Sequence, residues 1–98
     1  MNMASRRFSK GCCYFLVGYL DARFKYPFVD TYVFIGQEND SQDKPHWIFQ
    51  DVHSFVKYGE RRNAAENEDI EVLELDEEGL ETILGPDDLS VEFERLGV

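Results

Sequence analysis

Several kinds of residue pattern are scarce or missing in this sequence, and each absence excludes a class of protein. The 98-residue chain has two cysteines, adjacent at Cys12 and Cys13, which are too few for the disulfide framework of a small secreted domain. No apolar run reaches the roughly 18 residues that a membrane-spanning helix needs. The seven glycines are scattered, so the sequence contains no glycine-rich loop of the kind that binds phosphate groups.

The residues that are present suffice for one hydrophobic core. Hydrophobic residues make up 43% of the chain and aromatic residues 14%, proportions typical of a globular domain. A chain of this length buries about 65% of its unfolded surface. We therefore predict a single domain over residues 1–98, with a flexible basic N-terminus at residues 1–10 and a polar, mobile loop at residues 60–69.

Acidic residues outnumber basic ones and are unevenly placed. The formal net charge is −10, which argues against nucleic-acid partners and against binding to anionic membranes. Residues 66–98 contain thirteen acids and one base, Arg95, whereas residues 1–65 contain seven acids and nine bases. The sequence thus predicts a strongly acidic surface on a nearly neutral domain, and it favours a basic protein as partner.

The start of the chain has some features of a signal peptide. Arg6, Arg7 and Lys10 precede an apolar run over residues 12–20. That run is short, includes tyrosines and a glycine, and leads into a charged segment without a small-x-small cleavage site. We interpret it as part of the domain, and we expect a cytoplasmic protein with reduced thiols.

Strand and helix patterns alternate along the chain. Residues 11–20, 28–36, 46–50 and 70–75 have the alternation and the β-branched or aromatic content of strands, and residues 36–45 are typical of a long hairpin loop. One or two exposed aromatic residues are expected near this loop and near residues 21–27.

Three segments fit helices. Asp51 is a candidate N-cap for a helix ending at Gly59, and Asp76 for a helix ending at Gly85. Residues 87–96 fit a strand or a helix, and we favour a helix. The predicted fold class is α+β: an antiparallel, meander-like sheet of about four strands, covered on one face by two or three short helices.

Side chains that often carry chemistry do not form a recognisable motif. Cys12 and Cys13 are neighbours on a predicted strand, so one thiol should enter the core and the other should face outward or lie under a helix. His46 and His53 have a spacing unlike that of helical metal ligands. Glu74, Asp76 and Glu78, followed by Gly79, match the first half of a calcium loop, but Gly85 occupies the place of its last carboxylate. We therefore predict no catalytic residue, no metal site, no cofactor and no enzymatic activity.

The leading hypothesis is a non-enzymatic interaction or inhibitor module that presents an acidic face to a basic protein, as immunity-type inhibitors do to nucleases. The residues expected to contact the partner are five carboxylates and two aromatic anchors: Glu66, Glu68, Asp69, Glu71, Glu74, Trp47 and Tyr58. One alternative is a ligand-binding domain or minimal enzyme with a His/Cys pocket. Another is a self-associating protein such as a homodimer.

Overall fold

A computed structural model describes residues 8–60 and 69–96 of the chain. The described residues form one five-stranded antiparallel sheet and two α-helices, which confirms the predicted α+β class. The strands are β1 (Cys13–Tyr19), β2 (Pro27–Asn39), β3 (Pro45–Asp51), β4 (Val72–Leu75) and β5 (Ile83–Leu84). The α-helices are α1 (Val52–Tyr58) and α2 (Pro86–Leu96), and a 3₁₀ turn spans Gly79–Thr82.

The strand order is β4-β3-β2-β1-β5, so the first four strands form the predicted meander. The fifth strand was missed: β5 joins the opposite edge, where Leu84 and Ile83 pair with Phe15 and Leu16 of β1. The chain between β4 and β5 crosses one face of the sheet, because these strands lie at opposite edges.

The helix predicted from Asp76 to Gly85 is wrong in type. A 3₁₀ turn followed by β5 takes its place. The spacing of Leu80 and Ile83 fits this structure as well as an α-helix, because side chains three residues apart also share one side of a 3₁₀ turn. This leaves two α-helices, the lower end of the predicted number. The ambiguous C-terminal segment is helical, as favoured, with acidic residues in its first turn and Arg95 in its last.

The hydrophobic core lies on the face that the chain crosses. Phe49 at its centre is fully buried, and the core also includes Leu80 from the crossing segment and Ile83 from β5. The ring of Phe8 packs against Phe49 with centroids 5.5 Å apart. The buried members of this cluster are Tyr14, Tyr32, Phe34, Phe49, Leu80 and Ile83.

Both helices lie on the other face. There Gln50, which is fully buried, donates hydrogen bonds from Nε2 to Ser54 Oγ of α1 (3.0 Å) and to the Gly59 carbonyl at the end of that helix (3.1 Å). Tyr19 of β1 donates a hydrogen bond to Glu92 of α2 (2.9 Å). These contacts attach α1 to the β3 side of the sheet and α2 to the β1 side.

The long β2–β3 loop predicted over residues 36–45 is much shorter. Strand β2 continues to Asn39, and Gly36, with φ of 144°, marks a register shift against β3. The remaining turn is closed by Asp40, whose side chain accepts hydrogen bonds from the backbone N–H groups of Gln42 (2.8 Å) and Lys44 (3.0 Å).

Other sequence predictions have mixed outcomes. Both Cys12 and Cys13 are free and exposed, so the prediction of one buried thiol is wrong: Cys13 sits at the very start of β1, where neither helix covers it. Much of the predicted flexible N-terminus and mobile loop lies outside the described residues. Over residues 8–60 and 69–96, no helix is long and apolar enough to cross a membrane.

Candidate functional site: an acidic open edge

Four exposed carboxylates lie on or beside β4, which is the outer strand at one edge of the sheet. Glu74 is within the strand, Asp69 and Glu71 precede it, and Asp76 follows it directly. We call this group, with the backbone of β4, the acidic edge. Strand order brings about this arrangement, because it leaves β4 with a paired strand on the β3 side only, within the described parts of the chain.

The structure brings together some of the residues predicted to bind a partner and separates others. Asp69, Glu71 and Glu74 belong to the acidic edge, while Glu66 and Glu68 lie outside the described residues. Tyr58 adjoins the edge, since its hydroxyl donates a hydrogen bond to Asp69 Oδ2 (3.1 Å).

Trp47 is placed differently from the other predicted residues. It is half-buried and packs against the hydrophobic core, opposite Leu75 of β4. Its ring therefore packs against the core beside β4, and its role as an aromatic anchor for a partner stays a prediction.

Asp51 at the end of β3 fixes the start of the acidic edge. Its backbone N–H donates to the Glu71 carbonyl (3.0 Å), and its carboxylate accepts a hydrogen bond from the Glu71 N–H (2.9 Å). The same carboxylate accepts the Ser54 N–H (2.9 Å) and so caps α1, as the sequence predicted. Asp51 thus holds β4 and α1 together.

The hydrogen bonds to Asp51 also influence its charge. Partial burial opposes ionisation of the carboxyl group, but the hydrogen bonds from Ser54 Oγ, the Ser54 N–H and the Glu71 N–H outweigh burial. They hold the pKa of Asp51 below its ordinary value, so this side chain is ionised at neutral pH.

Some backbone groups of the acidic edge have no hydrogen-bond partner among the described residues. In an antiparallel ladder, residues alternate between pairs that exchange hydrogen bonds and pairs that do not. Asp51 and Glu71 are a hydrogen-bonded pair, which fixes the alternation along β4. The next hydrogen-bonded residues of β4 are therefore Leu73 and Leu75, which pair with Phe49 and Trp47 of β3. The N–H and C=O groups of Val72 and Glu74 therefore point away from β3, toward the open side of β4.

An acidic cleft adjoins the C-terminal end of β4. It has a volume of about 590 Å³ and is lined by Lys44, Pro45, Asp76, Glu77, Glu78 and Glu81. From the sequence, the first of these acids are explained as the start of a helix. The three consecutive acids Asp76, Glu77 and Glu78 are the sequence feature that could have indicated an acidic cleft. The cleft itself forms because β4 ends beside the start of β3.

Neither the acidic cleft nor the cleft beside His53 is lined by a histidine and a cysteine together. His53 is exposed and lines a cleft of about 290 Å³ with Asp30 and Tyr32, but neither cysteine lines it. Burial, followed by the nearby carboxylates of Glu71, Asp30 and Asp51, raises the pKa of Tyr32. His46 is on another part of the sheet, 3.1 Å from Asp40 in the β2–β3 turn. Over the described residues, no three His, Cys, Asp or Glu side chains are grouped as metal ligands.

A second exposed surface occurs at the tip of the β1–β2 hairpin. Leu20, Phe24, Tyr26 and Phe28 are all exposed there, in agreement with the expectation of exposed aromatics near residues 21–27. Asp21 organises the tip by accepting backbone hydrogen bonds from Lys25 and Tyr26, both 2.9 Å.

Phe24 in this hairpin has a φ of 57°, a conformation that bulky residues rarely adopt. We expect Phe24→Gly to be more stable than Phe24→Ala by about 1 kcal/mol, because both remove the ring and only glycine removes the left-handed strain. Urea unfolding of both variants measures the difference. If Phe24→Ala is the more stable variant, as is usual at exposed positions, the backbone at residue 24 is unstrained.

Comparison of the chain with models of known protein families, with curated proteins and with solved structures finds no match. Its function is therefore inferred from the geometry of the acidic edge.

Proposed function

We propose that this protein is a non-enzymatic interaction module, of the inhibitor type, that binds a basic surface of another protein through the acidic edge. The observation that carries the proposal is the grouping of Asp69, Glu71, Glu74 and Asp76 along one open strand. The acidic cleft at the end of that strand continues the same charge.

The charge density of this surface has a physical consequence for association. Long-range attraction speeds the encounter with a basic partner and orients it before contact. Because ions screen exposed charges beyond about 8 Å at physiological ionic strength, the association is expected to weaken as salt is added. The same charge is unfavourable for nucleic acid and for anionic membranes.

The proposal includes a location, and we set one alternative beside it. We place the protein in the cytoplasm, where the free thiols of Cys12 and Cys13 remain reduced. The alternative is self-association, in which the exposed cations Arg23 and Lys25 at the hairpin tip contact the acidic edge of a second copy.

Neutralising the acidic edge is expected to weaken partner binding. A tagged protein would first capture basic proteins from lysate of the source organism at about 50 mM salt, and those released at about 500 mM would be purified. We expect Glu71→Gln with Glu74→Gln to lower the affinity for such a protein about tenfold or more in low salt.

The matched control is Asp87→Asn with Glu94→Gln. It makes the same change in net charge on α2, which contacts β1 and β5 at the other side of the sheet. Binding should stay within about twofold of the original protein. Equal affinities for both double variants, or the absence of any salt-sensitive partner, would contradict the acidic-edge proposal. A mass in light scattering that falls from dimer to monomer as salt rises would favour self-association instead.

A further inference from the structure

We propose that the partner binds the acidic edge as an added β-strand: an extended segment, alternately basic and apolar, pairs with β4 and makes a sixth strand of the sheet. This inference rests on the proposed function and states how the partner is held. Strand addition at a sheet edge obtains affinity from backbone hydrogen bonds and specificity from alternate side chains.

The backbone of β4 is ready for such pairing. The N–H and C=O groups of Val72 and Glu74 point to the open side of the strand, and none of the described residues forms a hydrogen bond with them. Two residues that expose both groups provide up to four hydrogen bonds to an incoming strand. The hydrogen bonds from Asp51 to Glu71 hold the start of this strand in position.

The side chains of the acidic edge define the partner's chemistry. Successive residues of a strand point to opposite faces, so Leu73 and Leu75 lie on the core face while Val72 and Glu74 lie on the helix face. Leu73 and Leu75 are only partly buried and pack against the core cluster. An apolar partner residue beside them would extend the core, and a lysine or arginine at the next position would lie beside the Glu74 carboxylate.

Charge complementarity favours this occupant over a second copy of the chain. Pairing of β4 with β4 of another molecule would bring two sets of the same carboxylates together, and like charges across strands are destabilising. A charged residue on an edge strand also protects a sheet against aggregation. If Glu74 only protects the edge, no strand should pair with β4, including a basic one. Strand addition predicts instead that a basic strand binds, so a binding experiment distinguishes the two roles.

The test uses a synthetic peptide of alternating lysine and valine. Two N-methylated forms carry methyl groups either on all lysine amides or on all valine amides. Alternate amides of a strand point to opposite edges, so only one form retains the donors that face β4. Strand addition predicts that one form loses at least tenfold in affinity while the other stays close to the unmodified peptide. Similar affinities for the two forms would overturn it.

A variant of the protein gives a second, independent measurement. Val72→Pro removes an outward-facing N–H that the pairing with β3 does not use, and edge strands tolerate proline at such positions. We expect Val72→Pro to bind the unmodified peptide at least tenfold more weakly, while Val72→Ala stays within about threefold. If Val72→Pro unfolds, the N-methylated peptides still decide the question.

Hydrogen exchange reports the bonds directly. Added peptide should slow exchange of the Val72 and Glu74 amides and leave the exposed amides of the hairpin tip unchanged.

Failure of this inference can be distinguished from failure of the proposed function. If Glu71→Gln with Glu74→Gln weakens binding but both N-methylated peptides bind alike, the acidic edge binds basic proteins without strand pairing. If the unmodified peptide does not bind and no basic partner is captured, both proposals fail.

Discussion

Replacement of Phe49 by alanine is expected to lower the free energy of unfolding by about 3–5 kcal/mol, the usual cost of removing a fully buried aromatic ring. Phe49 has 0% exposure and lies at the centre of the core. Its ring centroid is 5.5 Å from that of Phe8, 5.9 Å from that of Tyr14 and 5.3 Å from that of Phe34. Alanine would leave a cavity among these three rings, since those of Tyr14 and Phe34 belong to strands whose spacing the sheet fixes.

Urea or guanidinium unfolding measures this loss. Globular domains are usually stable by about 5–15 kcal/mol, so the variant should be marginally folded at room temperature. Phe49→Leu should retain much of the stability because it keeps most of the volume. Val91→Ala is the exposed control, with a side chain that is 64% exposed and an expected change below about 0.5 kcal/mol. A loss under about 1 kcal/mol for Phe49→Ala would mean that this cluster is not the core.

Removal of the Asp51 carboxylate should have the next largest effect, about 2–3 kcal/mol for Asp51→Ala. The carboxylate caps α1 at the Ser54 N–H, an interaction usually worth about 1 kcal/mol. It also accepts the Glu71 N–H at 2.9 Å, and hydrogen bonds to a charged group contribute about 1.5–3 kcal/mol. Unfolding of Asp51→Ala measures the sum, and Asp51→Asn, which keeps one acceptor oxygen, should lose less.

The contribution of Asp51 should depend on pH with a definite sign. The pKa of Asp51 in the folded protein is held below its ordinary value, so the folded state binds its proton less readily than the unfolded state. The stabilisation is therefore complete above the ordinary carboxyl pKa of about 3.9 and is lost as the pH falls through the lower, folded value. The difference in unfolding free energy between the original protein and Asp51→Ala should be constant near pH 7 and smaller in acid. An equal difference at both pH values would show that the charge of Asp51 is irrelevant.

Asp51 also connects stability with the proposed function. Because its carboxylate and backbone position Glu71, Asp51→Ala should loosen the N-terminal end of the acidic edge. Under conditions where the variant stays folded, we expect faster hydrogen exchange at the Glu71 amide than in the original protein.

Local patterns in the sequence were sufficient for much of the fold. Alternating apolar residues identified β1, β2 and β3, and the pair of Asp51 and Gly59 marked both ends of α1. These predictions succeed because strand alternation and helix capping depend on residues within a few positions of one another.

Predictions that depended on distant residues failed. Strand β5 has only two residues and exists because β1 offers a free edge to it, which no local pattern indicates. The extension of β2 to Asn39 likewise depends on pairing with β3, since polar residues enter a strand when a partner satisfies their backbone groups.

The candidate site, like the fold, was predictable from the sequence only in part. Composition and order along the chain determined that the C-terminal third is acidic, and charge is a property that folding does not change. Folding alone decided that β4 is an outer strand of the sheet formed by residues 8–60 and 69–96, that Glu71, Glu74 and Asp76 lie on or beside it, and that Trp47 packs against the core opposite Leu75. The physical reason is that strand order arises from long-range pairing: β5 pairs with β1 instead of β4, so β4 has one paired strand in the described parts of the chain.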